Sequence, residues 1–194
     1  MKNLKQIMVP AIALFCICLV AALLLGLTNS VTTEKIALIA VETENKARAS
    51  VFPDANGFSE NKSVTLDGAE YSYNEAFDAD GNVIGYTFST KSKGYGGDVA
   101  IMTGVNADGT INAIEVLDVS NETPGLGSNA KKDSFKDQFS GMSGIIGVST
   151  ASKKAANSID ALTGATYTSN GVTNAVNLAL SLYGEIAKGG AVNG

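Results

Sequence analysis

Histidine is absent from this 194-residue chain, and its two cysteines, Cys16 and Cys18, both lie in one apolar run near the N-terminus. Outside that run there is neither an imidazole nor a thiol. Ser-His-Asp and Cys-His catalysis, zinc sites and Cys-ligated iron-sulfur clusters are thereby excluded. A structural disulfide between the two cysteines is not expected at their spacing. Any redox chemistry needs an organic cofactor. Basic charge is scarce as well: without Lys2 and Lys5, 12 Lys and Arg face 19 Asp and Glu, a balance of −7. Such a surface has no basic footprint for nucleic acid and is repelled by anionic lipid heads, so the expected partners are proteins.

Charge is missing altogether from Ile7 to Leu27. As a helix this run is about 31 Å long, enough to span a bilayer. A cleaved signal peptide is the rival reading, but its apolar core is usually about 7–15 residues and ends at small residues. Neither condition fits. Phe15 before Cys16 also departs from a lipoprotein signal. Residues 1–6, with Lys2 and Lys5, are expected in the cytoplasm, 7–27 in the inner membrane as a single pass, and the following domain outside.

Beyond the span, Thr28 to Ser30 reads as a short polar break, after which Thr32 or Thr33 can cap a helix to about Ser50. Ile36, Ile39 or Ala40, Ala47 and Val51 form its apolar stripe, and 28–62 is expected to be a stalk helix and linker. Strands are expected at Ser63 to Leu66, Glu70 to Phe77, Val83 to Ser89, Val99 to Val105 and Ile111 to Leu117. Asp78 to Asn82 and Asn106 to Thr110 are read as hairpin turns. Asp78, Asp80 and Asn82 alternate as in a calcium loop, but Ser89 stands where that loop needs a bidentate Glu. A loop at Asn121 to Asn129, a short helix near Lys131 to Phe139 and a strand at Ile145 to Val148 are expected next. The last helix carries Val172, Ala175, Val176, Ala179, Leu182 and Ile186 at helical spacing. Together these predict an α+β domain over 63–188, an antiparallel sheet with flanking helices, and a flexible tail at 189–194.

Three segments are candidates for chemistry: Lys93-Gly94-Tyr95-Gly96-Gly97, Glu122-Thr123-Pro124-Gly125-Leu126-Gly127, and Asp160-Ala161-Leu162-Thr163-Gly164-Ala165-Thr166-Tyr167-Thr168-Ser169. Alone, each has a plain explanation as a turn, a reversal or a helix cap. The third also sets a hydroxyl at a helix start, where uncrowded backbone and free N–H groups make a seat for phosphate.

The third segment resembles the Asp-x-x-Ser/Thr-Gly-Ala-Thr signature of domains that carry FMN covalently. In this order, with the N-terminal span, Val51-Phe52-Pro53 and Gly85-Tyr86, the segments resemble the FMN-binding G subunit of Rnf complexes. A more distant likeness is to the C subunit of sodium-translocating NADH:quinone oxidoreductase. The resemblance implies one FMN, taken from FAD by a flavin transferase and held as a phosphoester on Thr166, with Asp160 read by the transferase. Thr163, Gly164 and Ala165 would flank it, while Tyr95, Gly96, Gly97, Glu122, Thr123, Gly125 and Leu126 would lie near the flavin. Leu126 would pack on the ring and Thr123 would hydrogen-bond it. Many relatives have His two residues before the Glu, where this chain has Ser120.

The implied activity is electron relay within a membrane-bound, ion-translocating ferredoxin:NAD oxidoreductase, the chain not being catalytic alone. Two alternatives are a free-standing anchored flavoprotein outside the cytoplasm and a non-redox anchored binding domain in which Thr166 only caps a helix.

Overall fold

The apolar run and the striped segment after it form one helix, α1 (Lys2–Val51). The computed structural model describes residues 2–153 and 156–189, and the chain divides into two units, Met1–Glu42 and Thr43–Gly194. The expected break at Thr28 to Ser30 is not present. The hydroxyls of Thr28, Thr32 and Thr33 donate to the carbonyls of Leu24, Thr28 and Asn29 at 2.6–2.8 Å. These side chains bond back along their own helix instead of capping a new one. Pro10 also lies inside α1, beyond its first turn. In the first unit the described side chains from Ile7 onward are exposed, and mean hydropathy reaches 2.9 over 18 residues. By length and composition this helix can cross a bilayer. Of the expected tail, residues 190–194 lie outside the described residues.

The second unit opens with the last turns of α1, where Ala47 and Val51, four positions apart, are buried together with Phe52. Pro53 then disfavours helical backbone at Phe52 and the helix stops. An antiparallel meander follows: β2 (Lys62–Leu66), β3 (Ala69–Phe77), β4 (Val83–Lys93), β5 (Asp98–Asn106) and β6 (Ile111–Asp118). The two-residue β1 (Gly57–Phe58) also pairs with β3. Strand β4 runs past the expected Ser89 because Lys91, Ser92 and Lys93 pair with Ala100, Val99 and Asp98, polar residues that gave no apolar signal.

Asp78 to Asn82 is a turn, not an ion loop. One Asp78 carboxylate oxygen accepts the N–H groups of Asp80 and Asn82, and the other accepts the Asn82 side-chain amide. Between β2 and β3, Asp67 and Gly68 both have positive φ, 52° and 79°. A two-residue hairpin of this kind demands that backbone.

Alternation along β4 and β5 gives the sheet two buried faces. On one, Phe88, Ile101 and Val105 pack beneath α3 (Thr166–Ala187), whose Val172, Ala175, Val176, Ala179 and Leu182 are fully buried. Burial contributes about 1.5–3 kcal/mol for each such Val or Leu, which docks the helix firmly. Thr90 adds a hydrogen bond to the Ala175 carbonyl at 2.9 Å. On the other face Ala76 and Met102 meet Ala47, Val51 and Phe52.

The short helix expected near Lys131 to Phe139 is present as α2 (Asp133–Lys136) continued by a 3-10 turn at Asp137–Phe139, and a separate 3-10 turn at Gly127–Lys131 precedes it. Extended backbone at Lys132 (ψ 138°) separates that earlier turn from α2, while Phe135 and Phe139 turn inward, edge to face at 5.8 Å. Finally β7 (Gly147–Ser149) and β8 (Ser158–Asp160) pair in parallel. The sequence gives no strand signal for β8, whose one apolar residue is Ile159. The fold is the expected α+β class.

Candidate functional site

The three glycine-rich segments, distant in sequence, meet where β4 turns into β5 and β6 ends. They enclose a cleft of about 270 Å³ lined by Tyr95, Glu122, Thr123, Leu126, Gly127 and the Gly164 to Thr168 stretch. Ligand pockets usually start near 300 Å³, so this cleft lies at the small end of their range.

Glu122 holds the segments together. It is 4 % exposed, and one carboxylate oxygen accepts the backbone N–H groups of Tyr95 at 2.9 Å and Gly96 at 3.0 Å. The other oxygen accepts the Thr168 hydroxyl, also buried. Gly96 permits this approach: a Cβ there would stand 1.8 Å from the Asn121 carbonyl oxygen. At Gly127 a Cβ would meet Glu122 Oε2 at 2.5 Å and Thr168 Oγ1 at 2.6 Å.

Helix α3 begins at Thr166, with Ala165 before it and no side-chain cap. The N–H of Ser169 donates to the Ala165 carbonyl at 3.0 Å. The N–H groups of Thr166, Tyr167 and Thr168 precede that bond and have no intrahelical acceptor. Together with the helix dipole they favour an anion. Gly164 reaches this turn at φ +74°, a backbone that favours glycine, and a Cβ there would stand 3.2 Å from Leu126 Cδ2. Ser169 fastens the approach, its hydroxyl accepting from the Leu162 N–H at 2.9 Å and donating to the Ala165 carbonyl at 3.0 Å.

The four neighbouring hydroxyls are thus unequal. Thr168 and Ser169 are buried and engaged, whereas Thr163 and Thr166 are exposed, and of those two only Thr166 lines the cleft. Part of the wall is made of exposed aromatic and aliphatic side chains. Tyr95 and Tyr167 are 72 % and 73 % exposed with ring centroids 6.3 Å apart, and Leu126 is 42 % exposed beside them.

Seven of the sequence-identified residues line the cleft: Tyr95, Glu122, Thr123, Leu126, Gly164, Ala165 and Thr166. Gly96 adjoins it through its bond to Glu122, and Gly97 closes the β4–β5 turn by accepting the Gly94 N–H at 2.7 Å. Gly125, with φ +76°, shapes the loop from outside the lining, and its N–H donates to Ser128 Oγ at 2.8 Å. Thr163 is likewise outside the lining. Asp160 is exposed at the end of β8, its backbone N–H donating to Gln138 Oε1 at 2.7 Å. Gly127, the last residue of the Glu122 to Gly127 loop expected near the flavin, also lines the cleft, whereas sequence reasoning missed Tyr167 and Thr168 as lining residues. Thr168 was findable, because it heads the buried stripe that continues through Val172 and Ala175. Asp118, at the end of β6, holds the entry to the loop by accepting the Ser120 N–H at 2.8 Å. That hydrogen bond keeps its carboxyl below the usual carboxylate range.

Residues 94–181 match the family of FMN-binding domains. Over 95 % of both chains the sequence is 36 % identical to the G subunit of the Na(+)-translocating ferredoxin:NAD(+) oxidoreductase complex of Acetobacterium woodii. It is 31 % identical, over 82 % of each, to the G subunit of the proton-translocating ferredoxin:NAD(+) oxidoreductase complex of Clostridium ljungdahlii. The C subunit of the Na(+)-translocating NADH-quinone reductase from Parabacteroides distasonis, known from a crystal structure, shares the fold, with TM-score 0.60 at 22 % identity over 76 % of this chain and 94 % of that one. With full-length relatives above 30 % identity and a flavin-domain match that takes in all three cleft-forming segments, the chain belongs to the family of G subunits of Rnf-type, ion-translocating ferredoxin:NAD oxidoreductase complexes.

Proposed function

We propose that this chain relays electrons in an Rnf-type complex through one FMN held as a phosphoester on Thr166. The observation that carries the reading is the contrast among the four Thr and Ser hydroxyls of the 163–169 segment: of these Thr166 alone is both exposed and in the cleft, and unlike Thr123, the other exposed threonine of the lining, it stands at a helix start with unengaged N–H groups. Those N–H groups suit the phosphate, and Tyr95, Leu126 and Tyr167 suit a planar, largely apolar ring. FMN, when bound, supplies one-electron and two-electron exchange. The chain's own residues orient the phosphate, shield part of the ring and supply the local field. Thr166 is the acceptor in attachment, and without a neighbouring base its activation falls to a flavin transferase. Asp160, exposed beyond the cleft, is where the transferase would read the segment. The other subunits of the complex are its partners. One uncleaved α1 span would anchor it in the inner membrane, with the acidic domain outside the cytoplasm.

The full chain produced with and without a flavin transferase, then weighed intact and peptide-mapped, tests this. The expected result is one FMN on Thr166 and none on Thr166→Ala. FMN mapped to Thr163, Thr168 or Ser169 in the parent chain, or no mass gain at all, refutes the assignment.

A further inference from the structure

Burying a carboxylate is expensive unless its oxygens are hydrogen-bonded and its charge is compensated. Glu122 meets the first condition in full and the second only through the N-terminal end of α3, in whose first turn Thr168 lies. Its two oxygens receive three donors, from Tyr95, Gly96 and Thr168. Yet no Lys or Arg among the described residues pairs with it. The glycines around it are correspondingly close, since a Cβ on Gly94 would stand 2.4 Å from Oε1 and one on Gly127 2.5 Å from Oε2. An amide would satisfy the same two backbone N–H groups without a buried charge. The charge therefore calls for a reason beyond fastening, and it stands in the wall of the cleft.

We propose that Glu122 is a positioning residue whose carboxylate clasps the Tyr95–Gly96 turn to the first turn of α3, and so sets both the presentation of Thr166 and the field inside the cleft. By tying down the Thr168 hydroxyl it fixes the rotation of the helix's first turn, which leaves the neighbouring Thr166 facing the cleft. By accepting from Tyr95 and Gly96 it carries the Tyr95 side to within ring contact of Tyr167. Its negative charge, which no Lys or Arg among the described residues pairs with, disfavours electron gain by a cleft ligand. This assignment rests on the reading that Thr166 carries FMN.

Two variants of the full chain separate clasp from charge. Glu122→Gln keeps an acceptor for the Tyr95 and Gly96 N–H groups and can donate to Thr168, so FMN remains on Thr166 and its reduction potential rises above the parent's. Glu122→Ala removes the clasp. Hydrogen exchange at the Tyr95 and Gly96 amides then accelerates even in chain made without transferase, and attachment slows on the order of 100-fold, as a misplacement of about 1 Å entails. Equal potentials in parent and Glu122→Gln overturn the assignment, and so does attachment to Glu122→Ala at the parental rate. If Glu122→Ala does not fold, the potential of Glu122→Gln decides alone. A parent chain without FMN, in which Glu122→Ala still loses protection at Tyr95 and Gly96, refutes the flavin reading and leaves the clasp standing.

Discussion

Adding one methyl group at Gly96 tests how tightly the cleft is built. The new Cβ would lie 1.8 Å from the Asn121 carbonyl oxygen, whereas real Cβ atoms stay at least 3.0 Å from such neighbours. The two backbones must separate by at least 1.2 Å, the difference between 3.0 and 1.8 Å, and neither is the free end of a flexible side chain. A retreat of that size breaks the Gly96 N–H bond to Glu122, now 3.0 Å, and stretches the one from Tyr95. Losing a hydrogen bond to a charged group costs about 1.5–3 kcal/mol, and overpacking a tight site costs about 1–3 kcal/mol. Because one movement relieves both, the effects overlap, and Gly96→Ala should destabilise by roughly 2–4 kcal/mol. A domain with about 5–15 kcal/mol of stability stays folded. Urea unfolding followed by circular dichroism measures the loss, since the chain has no Trp to report by fluorescence. A loss below about 0.5 kcal/mol, the range of a neutral surface change, would mean that the turn and the Asn121–Glu122 backbone are not in contact as described.

Leu126→Ala should leave one FMN per chain but shift its visible spectrum and potential. With 42 % of Leu126 already exposed, the stability loss should stay near half of the roughly 1.5–3 kcal/mol for full burial. An unaltered spectrum and potential would make this loop a plain chain reversal. Asp118 has a folded pKa below its unfolded value near 3.9, so its contribution is present above that value and is lost as pH falls through the lower folded one. Asp118→Asn should therefore lower stability at pH 7 and narrow the gap to the parent as pH falls below the unfolded value of about 3.9, as read by urea midpoints; a constant gap throughout that fall refutes the role of the Ser120 bond. Protease added to intact spheroplasts should digest the domain after α1, and protection until lysis would reverse the proposed topology.

The strands and α3 were legible because their patterns are local: alternation in Val99 to Val105, and three-four spacing from Val172 to Leu182. The convergence of Tyr95, Leu126 and Thr166 was legible only through family resemblance, since nothing local brings a β4–β5 turn to a helix start. Glu122 was legible as a site residue but not as a buried one. A lone Glu in a Pro-Gly loop reads as solvated, and its burial is decided by partners 27 and 46 positions away. The continuity of α1 through Thr28 to Ser30 was misread for a related reason. Thr hydroxyls serve equally as caps and as donors to the preceding turn, and the choice depends on whether the backbone on both sides is already helical. Strand β8 was missed because pairing with β7 holds it, with one apolar side chain to advertise it.

The meander joins strands that are neighbours in sequence, so its hairpins can close as soon as their residues are present. The clasp at Glu122 obeys a different timetable. It needs the β4–β5 turn, the loop after β6 and the first turn of the last helix together, which makes it among the latest parts of the domain to be completed. A chain whose α3 has not docked has not withdrawn Thr168 from competition with Thr166, because the bond to Glu122 has not formed. Presentation of Thr166 in the cleft, with Thr168 and Ser169 withdrawn, therefore reports that the whole domain has folded. On the proposed attachment at Thr166, an enzyme that read that presentation would load cofactor onto finished domains and pass over incomplete ones, an inspection step that would need no separate chaperone.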